Sequence, residues 1–227
     1  MPEVRKAISY AIDRQSIDEA LFAGGCTANP QAFPLESWAH SDDVDATGWG
    51  EFDPEYAKQL LEEGGYPDGF DFVMTTYSVT SYQRMAEAIQ AQLAAIGINA
   101  TIEVGDAAAL HPEWRGGNLE SWLAIYYPAR PDPTVFISDY LVEGGIYNPG
   151  GFSVDGLDEL ARQSLESVDE AERSGPMNEL LVDLYEAGAP VVSVCDPVST
   201  TAFAEGVEGA TAPMWGNYDF RHVTVAN

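Results

Sequence analysis

Apolar and polar side chains alternate along "FDFVMTTY" (residues 70–77) and are followed by "INATIEVG" (residues 98–105), so both stretches are predicted as strands. Between them, Met85, Ile89, Leu93 and Ile96 recur at helical spacing, and Gly97 ends the run. Upstream, Val4, Ile8, Ala11 and Ile12 mark a helix within "PEVRKAISYAIDRQSIDEALF" that opens on Pro2. A further helix is fully signposted: Asp53 as N-cap, Pro54 as first helical residue and Glu55 at the positive end of the dipole. Ala57, Leu60 and Leu61 form its buried stripe, and Gly64, Gly65 and Pro67 stop it. Downstream, the pattern predicts a short helix around "AAALHPEW", a third strand "SWLAIYY" and helices near 153–166 and 169–187. A strand "APVVSVCD", an extended run "VSTTAFA" and strand character at the C-terminus follow. Strands alternating with helices make an α/β fold with a mainly parallel sheet flanked by helices.

The third strand runs into "IYYPARPDPTVF" (residues 125–136), where three prolines stiffen a corner carrying Tyr126, Tyr127, Arg130 and Asp132. Ligands of parallel sheets sit at the C-terminal ends of the strands, which is where this corner falls. Aromatic faces with a few polar tips are the usual lining of small-molecule sites. The expected substrate-binding set is therefore Tyr126, Tyr127, Arg130 and Asp132, joined by Tyr147, Asn148 and Trp38. Neighbouring strand residues face opposite sides, so one of the two adjacent tyrosines is expected to point into the core. The planar fork of Arg130 suits a carboxylate; pairing with one of the many acids is the alternative.

Charge narrows the partners. Ten basic against 37 acidic residues give a net charge of −27, which argues against nucleic acid or an anionic membrane surface. The acids are spread along the chain, as on a solvated, mutually repelling surface, and only two of the basic residues are lysines, a balance that suits a salt-adapted or high-GC source. No apolar run reaches the length of a membrane-spanning helix, and the start has charged residues where the apolar stretch of a signal peptide would lie. Two cysteines, Cys26 and Cys195, lie 169 positions apart and are expected as unrelated thiols without a disulfide.

Chemistry is sparse. Phosphate-loop, dinucleotide and nucleophile-elbow fingerprints are absent, and His40, His111 and His222 show no metal-ligand spacing. Asp43, Asp45, Thr47 and Gly48 resemble the front of a calcium loop, but Pro54 stands where a bidentate glutamate belongs. No metal, no cofactor and no catalytic residue is expected. Among 37 acids some pair would meet by chance, which leaves an enzyme using cleft carboxylates as the alternative to a binding protein.

Six segments resemble, in order and with similar spacing, the family 5 solute-binding proteins of ABC importers, which include oligopeptide-, dipeptide- and nickel-binding members. They are "VRKAISYAIDRQSI", "FDPEYAKQLLEEGGYPDGFDF", "AEAIQAQLAAIGINATIEV", "YPARPDPTVF", "YNPGGFSVDGLDEL" and "GAPVVSVCDPVSTTAF". The resemblance implies a type II two-lobed fold in which ligand lies between lobes that close over it. It implies that residues 1–204 form lobe II and that residues 205–227 return to a lobe I lying outside this chain. That returning tail is expected to pack less completely than the rest. It further implies an extracellular or periplasmic protein, membrane-anchored as a lipoprotein at full length, with leader and anchor elsewhere. Its partners would be a peptide or other small polar solute, the permease subunits and lobe I, with no nucleic acid. Peptide-binding members hold the ligand amine with an aspartate three positions before the Asp-Pro aspartate; here that position is Ala129. The departure weakens a free-N-terminus peptide as substrate. A sensory or structural domain without transport is the remaining alternative.

Overall fold

The computed structural model describes residues 1–124, 132–198, 200–211 and 220–225. Helix α1 (Pro2–Tyr10) starts at the expected proline. The helical pattern after it is broken: Asp13 accepts a bond from the Ser16 backbone N–H and so caps a new helix, α2 (Arg14–Ile17), followed by a π-helical turn at Asp18–Phe22. A short strand β1 (Cys26–Ala28) and helix α3 (Asp42–Asp45) lead to α4 (Pro54–Glu63), capped by the Asp53 carboxylate on the Tyr56 N–H.

Strand β2 (Phe70–Tyr77), helix α5 (Thr80–Ala94) and strand β3 (Ile98–Gly105) fall where the alternation and the helical spacing put them. Helix α6 (Ala107–Arg115) then leads to β4 (Ser121–Leu123). These strands form a parallel sheet in the order β3-β2-β4, with Tyr77 opposite Gly105 and Thr75 opposite Trp122. Beyond it lie α7 (Thr134–Phe136) with a π-helical turn at Ile137–Leu141, α8 (Leu157–Gln163) and α9 (Glu170–Glu186).

Two cores result. In the first, Ala7, Leu60, Leu61, Ile89 and Leu93 from α1, α4 and α5 cover Met74, Ile98 and Ala100 of the sheet. In the second, Leu180, Leu181 and Leu184 of α9 pack with Ile137, Leu141, Leu157, Val44 and Trp49. Each fully buried aliphatic side chain contributes about 1.5–3 kcal/mol.

The late strands differ from expectation. Only Cys195–Pro197 (β5) is strand, and it pairs antiparallel with β1, while residues 198 and 200–204 carry no strand. A second antiparallel pair joins β6 (Val207–Glu208) to β7 (Thr224–Val225), where Phe220 and Val225 are exposed. The expectation of two unrelated thiols is corrected: Cys26 and Cys195 form a disulfide, with Cα atoms 5.4 Å apart. The β1–β5 pairing sets Ala28 against Cys195 and Pro197 against Cys26, which makes the cysteines diagonal neighbours. A pairing between segments so distant in sequence leaves no local signature.

One glycine decides the sheet's lower edge. Gly69 enters β2 at φ 75°, and a Cβ there would collide with the Gly97 carbonyl at the turn into β3. Gly69→Ala is expected to cost about 3 kcal/mol or more. Gly65→Ala, at φ 85° with open space around it, is expected to cost only about 1–2 kcal/mol. Urea midpoints of the two variants check this; equal losses would count against the steric account.

Candidate ligand site

The parallel strands β2 and β4 end side by side, and α6 returns across their C-terminal ends. Tyr77, the last residue of β2, meets Trp122 of β4 edge-on at 5.6 Å between centroids. The imidazole of His111 lies 4.9 Å from Trp122 at 88°, and the Tyr77 hydroxyl is 3.3 Å from His111 Nε2. Trp114 packs on Trp122 at 5.7 Å and donates through Nε1 to the Tyr147 carbonyl at 3.2 Å. Tyr147 in turn stacks on Tyr140 at 4.8 Å, and Tyr140 on Phe136 at 4.9 Å. A continuous ribbon of rings thus crosses the sheet's C-terminal end. Arg115 closes its rim, donating to the Tyr147 hydroxyl at 2.9 Å with its guanidinium 5.1 Å from the ring centre.

Burial, with the nearby Tyr82 and Tyr147 hydroxyls adding to it, pushes the Tyr77 phenol up to about 12, so it stays a neutral donor. Among the described residues, His111 Nδ1 and Trp122 Nε1 are buried without a hydrogen-bond partner, as is Thr75 Oγ1, one strand across from Trp122. Unpaired buried donors cost free energy, about 1–3 kcal/mol each, and mark where an acceptor would be welcome. The arrangement offers ring faces for apolar or planar groups and N–H donors for carbonyl or carboxylate oxygens.

Of the expected site residues, Tyr126, Tyr127 and Arg130 lie outside the described residues. The Asp132 carboxylate accepts from Arg173 Nη2 at 2.7 Å, from the Thr134 hydroxyl at 2.6 Å and from the Thr134 N–H at 3.0 Å. The Arg173 contact leads in holding Asp132 at about 2, well below the usual carboxylate range. Trp38 lies under the same Arg173 guanidinium, 4.6 Å from ring centre to cation. Tyr147 sits in the ring ribbon. The adjacent Asn148 is 8% exposed and spends its amide within its own loop, on Val142, Phe152 and the Phe152 N–H. Two groupings therefore emerge: Tyr147 with the rings, and Asp132 with Trp38 around Arg173. Tyr77, His111, Trp114, Arg115, Trp122 and Arg173 were not singled out from the sequence. Tyr77 and Trp122 had a legible signal, aromatic residues on predicted strands feeding the same sheet end.

His40 is not isolated as its spacing suggested. Its Nδ1 lies 3.0 Å from the Phe33 carbonyl and its Nε2 2.8 Å from Asp45, and Asp42 completes the one grouping among the described residues able to hold a metal ion. A proton between His40 and Asp45 already satisfies this geometry. Burial alone would lower the His40 pKa, but the bonds to Asp45 and Phe33 outweigh it, and the pKa is raised. A raised folded-state value contributes stability that is complete below the unfolded value, about 6.5, and is lost as pH rises through the folded one. His40→Gln is therefore expected to lower the melting temperature more at about pH 5.5 than at about pH 8.5. A loss independent of pH would refute the charged pair.

The profile of the bacterial extracellular solute-binding proteins, family 5 Middle, matches residues 1–148. Heme-binding protein A of Haemophilus influenzae is 29% identical over 230 residues, 98% of this chain and 41% of that protein. The glutathione-binding protein GsiB of Salmonella choleraesuis is 37% identical over 128 residues, 56% of this chain and 24% of that protein. The crystal structure of the dipeptide-binding protein from Pseudoalteromonas sp. SM9913 in complex with Met-Leu superposes with a TM-score of 0.82 at 25% identity, covering 99% of this chain and 45% of that one. The chain thus spans well under half the length of these relatives.

Proposed function

The chain belongs to the bacterial extracellular solute-binding proteins of family 5, and from that premise we propose that it is the second lobe of a receptor feeding an ABC importer. Residues 1–204 carry one wall of a ligand cleft, and residues 205–227 return to a first lobe outside this chain. The exposed Phe220 and Val225 on the β6–β7 pair supply apolar surface for that lobe. Solute bridging both lobes stabilises only the closed form, so binding itself shifts the population toward the state offered to the permease.

The observation that carries this reading is the ring ribbon at the C-terminal end of the parallel sheet, with the Trp122 Nε1–H and the His111 Nδ1 buried without partners among the described residues. It favours a small organic solute with a carbonyl or carboxylate, peptide-like or otherwise. Relatives named for heme, glutathione and a dipeptide ligand fall within that description. Ala129 at the amine-anchor position favours solutes that do not depend on a free amino terminus. Arg130 supplies the carboxylate contact, and Arg130→Ala is expected to weaken an acidic solute by about 1.5–3 kcal/mol. Equal affinities of the variant and the wild type by calorimetry would remove Arg130 from the site. The Cys26–Cys195 bond suits an oxidising compartment outside the cytoplasm, where a membrane anchor would hold the full-length protein near its permease. Among the described residues no helix is long and apolar enough to cross a membrane itself.

Thermal shift of the full-length protein with Met-Leu, glutathione and hemin tests the function. A receptor gains about 2.7 kcal/mol at a hundredfold excess over Kd and returns the ligand unchanged. Conversion of the ligand would instead identify an enzyme, and no shift with any of the three would reject this solute class.

A further inference from the structure

Arg173 projects from α9, far along the chain from both groups it touches. Its side chain is 9% exposed, and its donors are divided between two segments: Nε to the Ser164 carbonyl at 2.5 Å and Nη2 to Asp132 at 2.7 Å. The face of Trp38, from the loop before α3, covers the guanidinium at 4.6 Å. Asp132 in turn ends the corner that follows β4 and starts α7 through Thr134. One buried cation therefore gathers a loop, the end of the corner and a core helix.

We propose that Arg173 is a positioning residue for the ligand site: it fixes Asp132, and through Thr134 the start of α7 that carries Phe136 of the ring ribbon, together with the Trp38 loop in one relative geometry, and Asp132 and Trp38 serve the site by being held by it rather than by touching solute. This inference rests on the receptor reading above. The physical reason is one of cost. Burying the Arg173 guanidinium costs desolvation that an apolar side chain would avoid, and its attraction to Asp132, which is 36% exposed, is screened by solvent, so stability alone does not favour the pair. An ion pair differs from an apolar contact in direction. The planar guanidinium donates through Nη2 to the Asp132 Oδ1 in one direction, and its flat face meets the Trp38 ring in another, so the three segments have a single register. Asp132 commits its Oδ1 to Arg173 and Thr134, which sets the orientation of the carboxylate.

The test uses the full-length protein and the variants Arg173→Met, which keeps volume, and Arg173→Lys, which keeps charge but loses the fork. Arg162→Met is the control, since Arg162 is exposed and, among the described residues, its ion pairs are with its near neighbours Glu159 and Glu166. Affinity is measured for Met-Leu, glutathione and hemin at a temperature where every variant is folded, together with hydrogen exchange at the amides of Thr134–Phe136. The expected result is an affinity at least tenfold weaker for Arg173→Met, an intermediate loss for Arg173→Lys and none for the control. Exchange at Thr134–Phe136 accelerates in the same order, and a Trp38→Leu/Arg173→Met double variant loses no more affinity than the larger single loss. A folded Arg173→Met protein with wild-type affinity and wild-type exchange overturns the proposal. If the wild type binds none of the three probes, it is the solute class that fails, and the exchange at Thr134–Phe136 then decides the positioning role by itself.

Discussion

Replacing both Cys26 and Cys195 by serine is expected to lower the unfolding free energy by about 4–5 kcal/mol. The bond closes a loop of sequence separation 169, and the entropy that such a cross-link removes from the unfolded chain grows with the logarithm of loop length. What it holds is slight without it. The β1–β5 ladder has three residues on each side, extended by Val198 N–H to the Gly25 carbonyl at 2.8 Å and Asn29 N–H to the Val194 carbonyl at 3.3 Å. Asn29 also donates to Asp196 at 2.7 Å, and burial raises the Asp196 pKa despite that bond. The segment leading into β5 also lines the first core through Val192 and Val194, so loosening β5 exposes that core. For a chain of this size the loss corresponds to a fall in melting temperature on the order of 10 °C. Thermal melts with and without reductant, beside the double-serine variant, measure it. A melting temperature unmoved by reduction would show that the pairing stands without the bond.

The signals in the sequence were good where structure is local. Asp53, Pro54 and Gly64 bracket α4 because a cap, a fixed φ and a chain break act on immediate neighbours. β2 and β3 followed from alternation, since one face of each packs on α5 and the first core while the other does not. Failures came where distant segments decide. The first helical pattern looked continuous, yet it breaks at Asp13, whose backbone N–H donates to the Gln92 side chain while Arg14 beside it reaches Gly50 and Ser193. "APVVSVCD" looked like a sheet strand, but its only strand residues, Cys195 and Asp196, pair with β1 near the other end of the chain.

The same division holds at the site. The strand-end rule pointed to the end of the third strand, and Tyr147 stands in the ring ribbon that includes Trp122 of that strand. His111 and Trp114 were not readable, because their place depends on α6 folding back over β2 and β4, and Arg173 depends on α9 reaching the corner. Asp132 was read for its position; its partners are what give it a role. A side chain's neighbours are set by tertiary packing, and a single sequence carries no record of them.

The second large effect is expected at Arg14, which reads in the sequence as one more polar residue on a helix. It is 5% exposed and, among the described residues, has no carboxylate partner. Instead Nη1 reaches the carbonyls of Ser9 at 3.0 Å, Ile12 at 3.3 Å and Gly50 at 2.6 Å, Nε that of Ser193 at 2.9 Å, and Nη2 the Ser9 hydroxyl at 2.9 Å. Ser9 and Ile12 lie at the C-terminal end of α1, where the helix dipole favours a cation. Gly50 belongs to the loop beside Trp49 of the second core, and Ser193 leads into β5, so one guanidinium ties both cores to the disulfide-bearing strand. The fit is tight: a Cβ on Gly50, at φ 69°, would lie 2.6 Å from Pro30 Cβ and 3.2 Å from Arg14 Nη1. Burial lowers the Arg14 pKa to about 10, which leaves it charged at neutral pH. Arg14→Met keeps the volume and removes every donor, so four carbonyls lose a partner where water reaches poorly. Each such loss costs about 1–3 kcal/mol before relaxation, and the sum after it is expected at about 3–5 kcal/mol, a large share of the 5–15 kcal/mol that holds a typical domain folded. Arg14→Lys, a point charge with three donors in place of a five-donor fork, should recover only part of this. Urea unfolding of the two variants decides it. A loss below about 1 kcal/mol for Arg14→Met would mean that the carbonyls find other partners and that the two cores are joined by packing alone.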